Sequence, residues 1–158
     1  MITSYLQIMS DSLDKKKKVL LEIKAVNQKQ AELIAKENLD MEVFDQTMNE
    51  KDPLIEKINE LNDGFETTYQ RVREELMTNR EQYKPWIDSF KIKISEVMDL
   101  SVSIQAEEER NRQGVTRHLQ KERLKLKQSK QSMKAAMDYY RSTSRLNTVD
   151  PQLMDQKK

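Results

Sequence analysis

Hydrophobic residues enter this chain at three- and four-residue steps. Leu6, Met9, Leu13, Leu20, Ile23 and Ile34 form one narrow helical stripe, with Lys16, Asn27 and Gln30 as polar occupants of the same stripe. The spacing predicts a first helix over about residues 3–36. Glu37 and Asn38 break the pattern. Asp40 then sits where an N-cap is needed, its carboxylate free to accept from the unpaired amides of the next turn, with Glu42 favourable to the helix dipole.

A second helix over about residues 40–80 carries Phe44 and Met48 and meets Pro53, where a kink or restart is expected because proline removes one helical hydrogen bond. Beyond it comes the cleanest register in the chain: Leu54, Ile58, Leu61, Phe65, Tyr69, Val72 and Leu76. This stretch is expected to be the central core helix. The apolar register runs straight through Asn62, Asp63 and Gly64, so the helix is expected to continue through them, at a cost of about 1 kcal/mol for the glycine.

The third helix, about residues 85–140, opens at Pro85 and continues through Ile87, Phe90, Ile94, Val97, Ser101 and Ile104. From Glu107 to Gln113 every position is polar and Gly114 follows, so the helix is expected to leave the bundle there. Length supports this, because helices of about 35 and 40 residues reach some 50–60 Å, and an antiparallel third would match them by about residue 120. Helical pattern nevertheless continues through Val115, Leu119, Leu126, Met133, Met137 and Tyr140. Some 20 residues are thus expected to lack a neighbour from their own chain, with a stripe too thin to hold an isolated helix in water. Residues 141–158 read as a flexible tail. The expected fold is all-α: an elongated antiparallel three-helix bundle or coiled coil with a long third helix.

Composition agrees, since 2 Gly and 3 Pro in 158 residues leave little turn material for a β or α/β fold. Cysteine is absent, which removes disulfides, thiol catalysis and Cys-ligated metals. No export signal or membrane-length apolar run is evident, and a cytoplasmic location is expected. The net charge of +1 conceals an asymmetry. Residues 1–109 hold 15 Lys plus Arg against 23 Asp plus Glu, a net of −8, whereas residues 110–145 hold 11 against 2, a net of +9. Such blocks imply either folding of one on the other or an acidic partner for the basic one.

Catalytic chemistry finds little support. His118 is the single histidine and has no second ligand type to converge with it, so it reads as solvent-exposed. Glu74 with Glu75 and the run Glu107 to Glu109 lie on polar faces, and Gly64 and Gly114 are too far apart for a phosphate loop. No enzyme activity, metal or cofactor is expected. Arg117, Lys121, Arg123, Lys125, Lys127, Lys130 and Lys134 could follow a phosphate backbone, yet no aromatic residue lies between Arg110 and Asp138 to stack on bases, so nucleic acid is not an expected partner. Membrane insertion is not expected either. Lys15 to Lys18 read as a solvated face, and Trp86 as a cover for one end of the bundle. Met133 and Met137 suit an adaptable protein-binding surface.

An ordered series of features resembles the FlgN-type flagellar export chaperones. It comprises Ala31, Leu33 and Ile34 closing the first helix; Asp40 followed by Phe44; Lys51 and Leu54 ahead of the long register; Asn111 in the third helix; a tyrosine at Tyr139 or Tyr140; and the terminal Met154, Asp155, Gln156, Lys157, Lys158. Pro53 and the basic limb are departures. The resemblance implies a cytoplasmic, non-enzymatic chaperone of the bacterial flagellar type III export apparatus. It would bind the C-terminal helices of hook-filament junction proteins, prevent their early assembly and deliver them to the export gate protein. Carried onto this chain, cargo contacts fall on Leu119, Leu126, Met133 and Met137, and gate docking on Tyr139 or Tyr140. The alternative is a structural coiled-coil adaptor that forms homo-oligomers, a homodimer among them, through the seam from Leu54 to Leu76.

Overall fold

The computed structural model describes residues 2–147, with side chains described through residue 142. Three helices occupy almost all of it: α1 (Ile2–Ala35), α2 (Met41–Thr78) and α3 (Lys84–Asn147). The fold is the all-α three-helix bundle that the periodicity predicts, with a long third helix. Two compact units divide it, Met1–Val115 and Thr116–Lys158.

The ends of the helices follow from local chemistry. Asp40 lies in extended backbone and its carboxylate accepts from the amides of Glu42 and Val43 at 3.0 and 3.3 Å, so α2 starts at Met41. Helix α2 then runs without restart through Pro53 and through Gly64. Pro85 is the second residue of α3, where a missing N–H costs nothing. Between α2 and α3, Glu75 accepts from Asn79 Nδ2 at 3.0 Å and from the Tyr83 hydroxyl at 3.2 Å. Burial and then the Glu75 carboxylate push the Tyr83 phenol above its usual pKa, which keeps it a donor. Helix α3 continues through 141–147, where a tail is expected, because extending an established helix needs no new nucleus. The remainder of the expected tail, 148–158, lies outside the described residues.

In the first unit α1 and α2 run antiparallel, with Ser12 opposite Leu61 and Gln30 opposite Thr47. Helix α3 rises parallel to α1, with Ser10 opposite Lys93 and Lys24 opposite Glu107. The backbones of α1 and α2 approach closely, and α3 lies against α1, where Lys93 reaches Ser10, Lys24 reaches Ser103 and Asn111 reaches the Asn27 carbonyl. This arrangement makes α1 the central helix. Leu6, Met9, Leu13, Leu20, Ile23 and Val26 are all buried, whereas on α2 only Val72 and Leu76 of the clean register are; Leu54, Ile58, Leu61, Phe65 and Tyr69 stay half-buried. The expectation of α2 as the core helix is corrected accordingly, because a regular stripe shows which side faces inward but not how closely the neighbours on both sides approach.

One apolar cluster joins Leu6, Met9 and Leu13 to Val72, Leu76, Tyr83 and Phe90, with Trp86 packed against it, 6.1 Å from Phe90 between ring centroids. Trp86 thus contributes to the end of the bundle at the α2–α3 link, as expected. A second cluster joins Leu20 and Ile23 to Val97. Beyond these the packing turns polar without coming apart. Glu107 accepts from Lys24 and Asn27, Glu108 from Lys51, and Asn111 Nδ2 donates to the Asn27 carbonyl at 3.1 Å. Helix α3 therefore does not leave the bundle after Ile104. The apolar stripe is replaced by a polar one that stays packed as far as Gly114, where a Cβ would stand 2.5 Å from Ile34 Cγ2.

The two glycines consequently have opposite meanings. Around Gly64 nothing lies within 4 Å of an added Cβ, so Gly64→Ala should stabilise the chain by about 1 kcal/mol through helix propensity alone. Gly114→Ala gains the same propensity but must displace the branched Ile34 side chain, at about 1–3 kcal/mol. Urea melts should therefore place Gly64→Ala above the parent and Gly114→Ala at or below it. Equal gains at both positions would contradict the close α1–α3 approach.

Candidate partner-binding helix

The second unit, taken by itself, consists among its described residues of the distal part of α3 alone. Leu119, Leu126, Met133 and Tyr140 follow each other at seven-residue steps, with Met137 four residues after Met133. An ideal helix drifts only about 20° per seven residues, so these five side chains share a narrow stripe. All five are exposed, Leu119 at 45% and Met133 at 63% of full accessibility. Tyr139 is exposed as well, on a different face; its ring meets that of Tyr140 edge-on at 5.9 Å. The structure thus places Leu119, Leu126, Met133, Met137 and Tyr140 together and sets Tyr139 apart.

Charge flanks the stripe on one edge. Arg123 and Lys130 each lie four residues after one stripe residue and three before the next, and Lys134 follows Met133 on the same edge. On the other edge the corresponding positions are Glu122, Ser129 and Ala136. Glu122 and Lys125 approach to 3.9 Å, a weak exposed pair. Lys121, Arg123, Lys127, Lys130 and Lys134 are exposed and form a basic field around a thin apolar line. Such a surface can bury a few large apolar side chains of a partner helix and attract carboxylates beside them.

Leu124, at 56% exposure, was not singled out by the periodicity; about 140° around the helix from Leu119, it lies off the stripe. His118, expected on an exposed face, is instead partly buried. Among the described residues no group of His, Asp and Glu side chains is arranged to hold a metal ion, and no helix is long and apolar enough to cross a membrane. The exposed stripe and its basic edge suit non-covalent recognition by apolar contact and charge. No family model, curated protein or solved structure matches the chain.

Proposed function

We propose that this protein is a non-enzymatic, cytoplasmic export chaperone of the bacterial flagellar type III secretion system, similar to the FlgN type, and that distal α3 is its cargo-binding element. It binds C-terminal helices of hook-filament junction proteins, keeps them from assembling early and hands them to the export gate protein, with Tyr139 or Tyr140 as the gate contact. The observation that carries this reading is the line of exposed apolar residues from Leu119 to Tyr140 on a helix that nothing among the described residues of its own unit covers. A stripe with about one apolar residue per turn and a half gives moderate affinity, and moderate affinity is what release at a gate requires.

The adaptor alternative would use the seam from Leu54 to Leu76. Within the first unit, however, Leu54 and Ile58 pack on the second apolar cluster and Phe65 and Tyr69 on the first, so part of that seam is already engaged. Co-elution separates the two readings. The full chain should co-elute with C-terminal segments of hook-filament junction proteins, and removal of residues 119–158 should abolish this while circular dichroism still reports a helical protein. Co-elution that survives the truncation, or a stable homo-oligomer with no cargo affinity, would sink the chaperone reading.

A further inference from the structure

A groove runs between α2 and α3 in the first unit, independent of the distal helix. Two hollows of about 330 Å³ each lie between α2 and α3 and share Phe65, Glu66 and Ile94. Along α2 the groove runs from Leu61 to Met77, which at about 1.5 Å per residue is some 24 Å, or four helical turns. Its walls are mostly apolar, and Met77 and Met98 on its rims are 54% and 61% exposed.

One feature of the groove is polar in an unusual way. Lys16, from the centre of α1, lines it beside Leu13 and Leu61, only partly exposed, and makes no hydrogen bond or ion pair among the described residues. Glu66 shares the groove but does not come within 4 Å of the Lys16 ammonium. Burial holds the Lys16 pKa below its ordinary value, the sign of a charge that has lost water and gained nothing in exchange. Lys17, by contrast, pairs with Glu96 at 2.9 Å. The run Lys15 to Lys18 is therefore not simply a solvated face. Arg80 and Lys91 add positive charge to the same lining against the single acid Glu66.

We infer that the α2–α3 groove is a docking site for an amphipathic helix of a partner protein that carries a carboxylate within its apolar stripe, and that Lys16 recognises that carboxylate. The occupant follows from charge. The basic distal α3 of a second copy would set its lysines against Lys16, Arg80 and Lys91, whereas a Glu or Asp at the centre of an apolar helix supplies the counter-charge and hydrogen-bond acceptor that Lys16 lacks. Its apolar flanks meet Phe65, Ile94 and Met98, and the added helix completes a four-helix packing.

The test uses the full chain and two synthetic 18-residue amphipathic helices identical except for Glu or Gln at the central stripe position, titrated by calorimetry. The Glu peptide should bind at least about tenfold tighter, the scale of one partly desolvated charge pair. Lys16→Met should erase that preference while raising the melting temperature by about 2 °C, since it removes an unpaired, partly dehydrated charge. Met98→Asp on the exposed rim should abolish binding of both peptides. A variant carrying Leu126→Asp and Met133→Asp should bind the Glu peptide like the parent, which separates this site from the proposed cargo helix. Absence of binding, equal affinity for the two peptides, a preference that survives Lys16→Met, or concentration-dependent self-association relieved by Met98→Asp would each overturn the inference.

Discussion

Lys51→Ala is expected to destabilise the chain by about 3 kcal/mol, the largest effect of any single substitution outside the apolar clusters. Lys51 is 2% exposed, and its ammonium donates to Gln30 Oε1 at 2.9 Å and to Glu108 Oε1 at 2.7 Å. Gln30, itself 1% exposed, donates onward to Thr47 Oγ1 at 3.1 Å, and its Oε1 also receives Asn111 Nδ2 at 3.4 Å. One lysine of α2 thus ties α1 to α3 at the level where apolar packing has ended. Alanine removes both bonds and leaves the space of the lysine stem empty. Glu108 is 43% exposed and can turn to water, which holds the loss near the lower end of the range for breaking a buried pair.

Lys51→Met keeps the stem and removes only the donor, so it should cost about 1–2 kcal/mol. Urea denaturation followed by circular dichroism distinguishes the two contributions. A loss of under about 1 kcal/mol for Lys51→Ala would mean that the polar layer is tolerated rather than needed. What such a layer adds beyond stability is register: Asn111 reaches the Asn27 carbonyl while Gly114, one turn on, meets Ile34. Sliding α3 by a turn would take Glu107 from Asn27, Asn111 from Gln30 and Glu108 from Lys51 and bring a side chain against Ile34, whereas an apolar layer would allow slippage.

Helix number, the Asp40 cap and the inward faces were legible because each depends on residues a turn or less apart. Spacing of three and four defines a stripe, and an aspartate before a helical run satisfies its first amides whatever the rest of the chain does. The polar occupants Asn27 and Gln30 were visible as interruptions of the α1 stripe, but their partners were not. Lys51 lies 21 residues from Gln30, and Asn111 lies 81. No local pattern links such positions. The run Glu107 to Gln113 therefore read as a departure from the bundle when it is the third side of its polar layer. The α2–α3 groove was illegible for the same reason, since stripes do not encode the distance between helices. The stripe of distal α3 was legible because its seven-residue spacing is local, and its exposure stands because no other described residue of its unit covers it.

The second large effect concerns that stripe. Replacing Leu126 and Met133 together by aspartate is expected to weaken binding of the C-terminal segments of hook-filament junction proteins by at least about 100-fold, with the melting temperature unchanged within about 2 °C. Both side chains are well exposed, Leu126 at 58% and Met133 at 63%, and exposed substitutions shift stability by only about 0.5 kcal/mol. At an interface the same two groups are central anchors. Burying a large apolar side chain is worth about 1.5–3 kcal/mol, so two of them account for the loss, and the new carboxylates add a desolvation penalty. Leu124→Asp is the matched control. Leu124 is as exposed, at 56%, but lies off the stripe, and its replacement should leave affinity within a few-fold of the parent. Equal losses at Leu124 and at the stripe would mean that binding follows general greasiness, not a helix face. Charge should show separately, as a faster fall in affinity with salt for the parent than for an Arg123→Gln, Lys130→Gln variant, because those two residues border the stripe where partner carboxylates would sit.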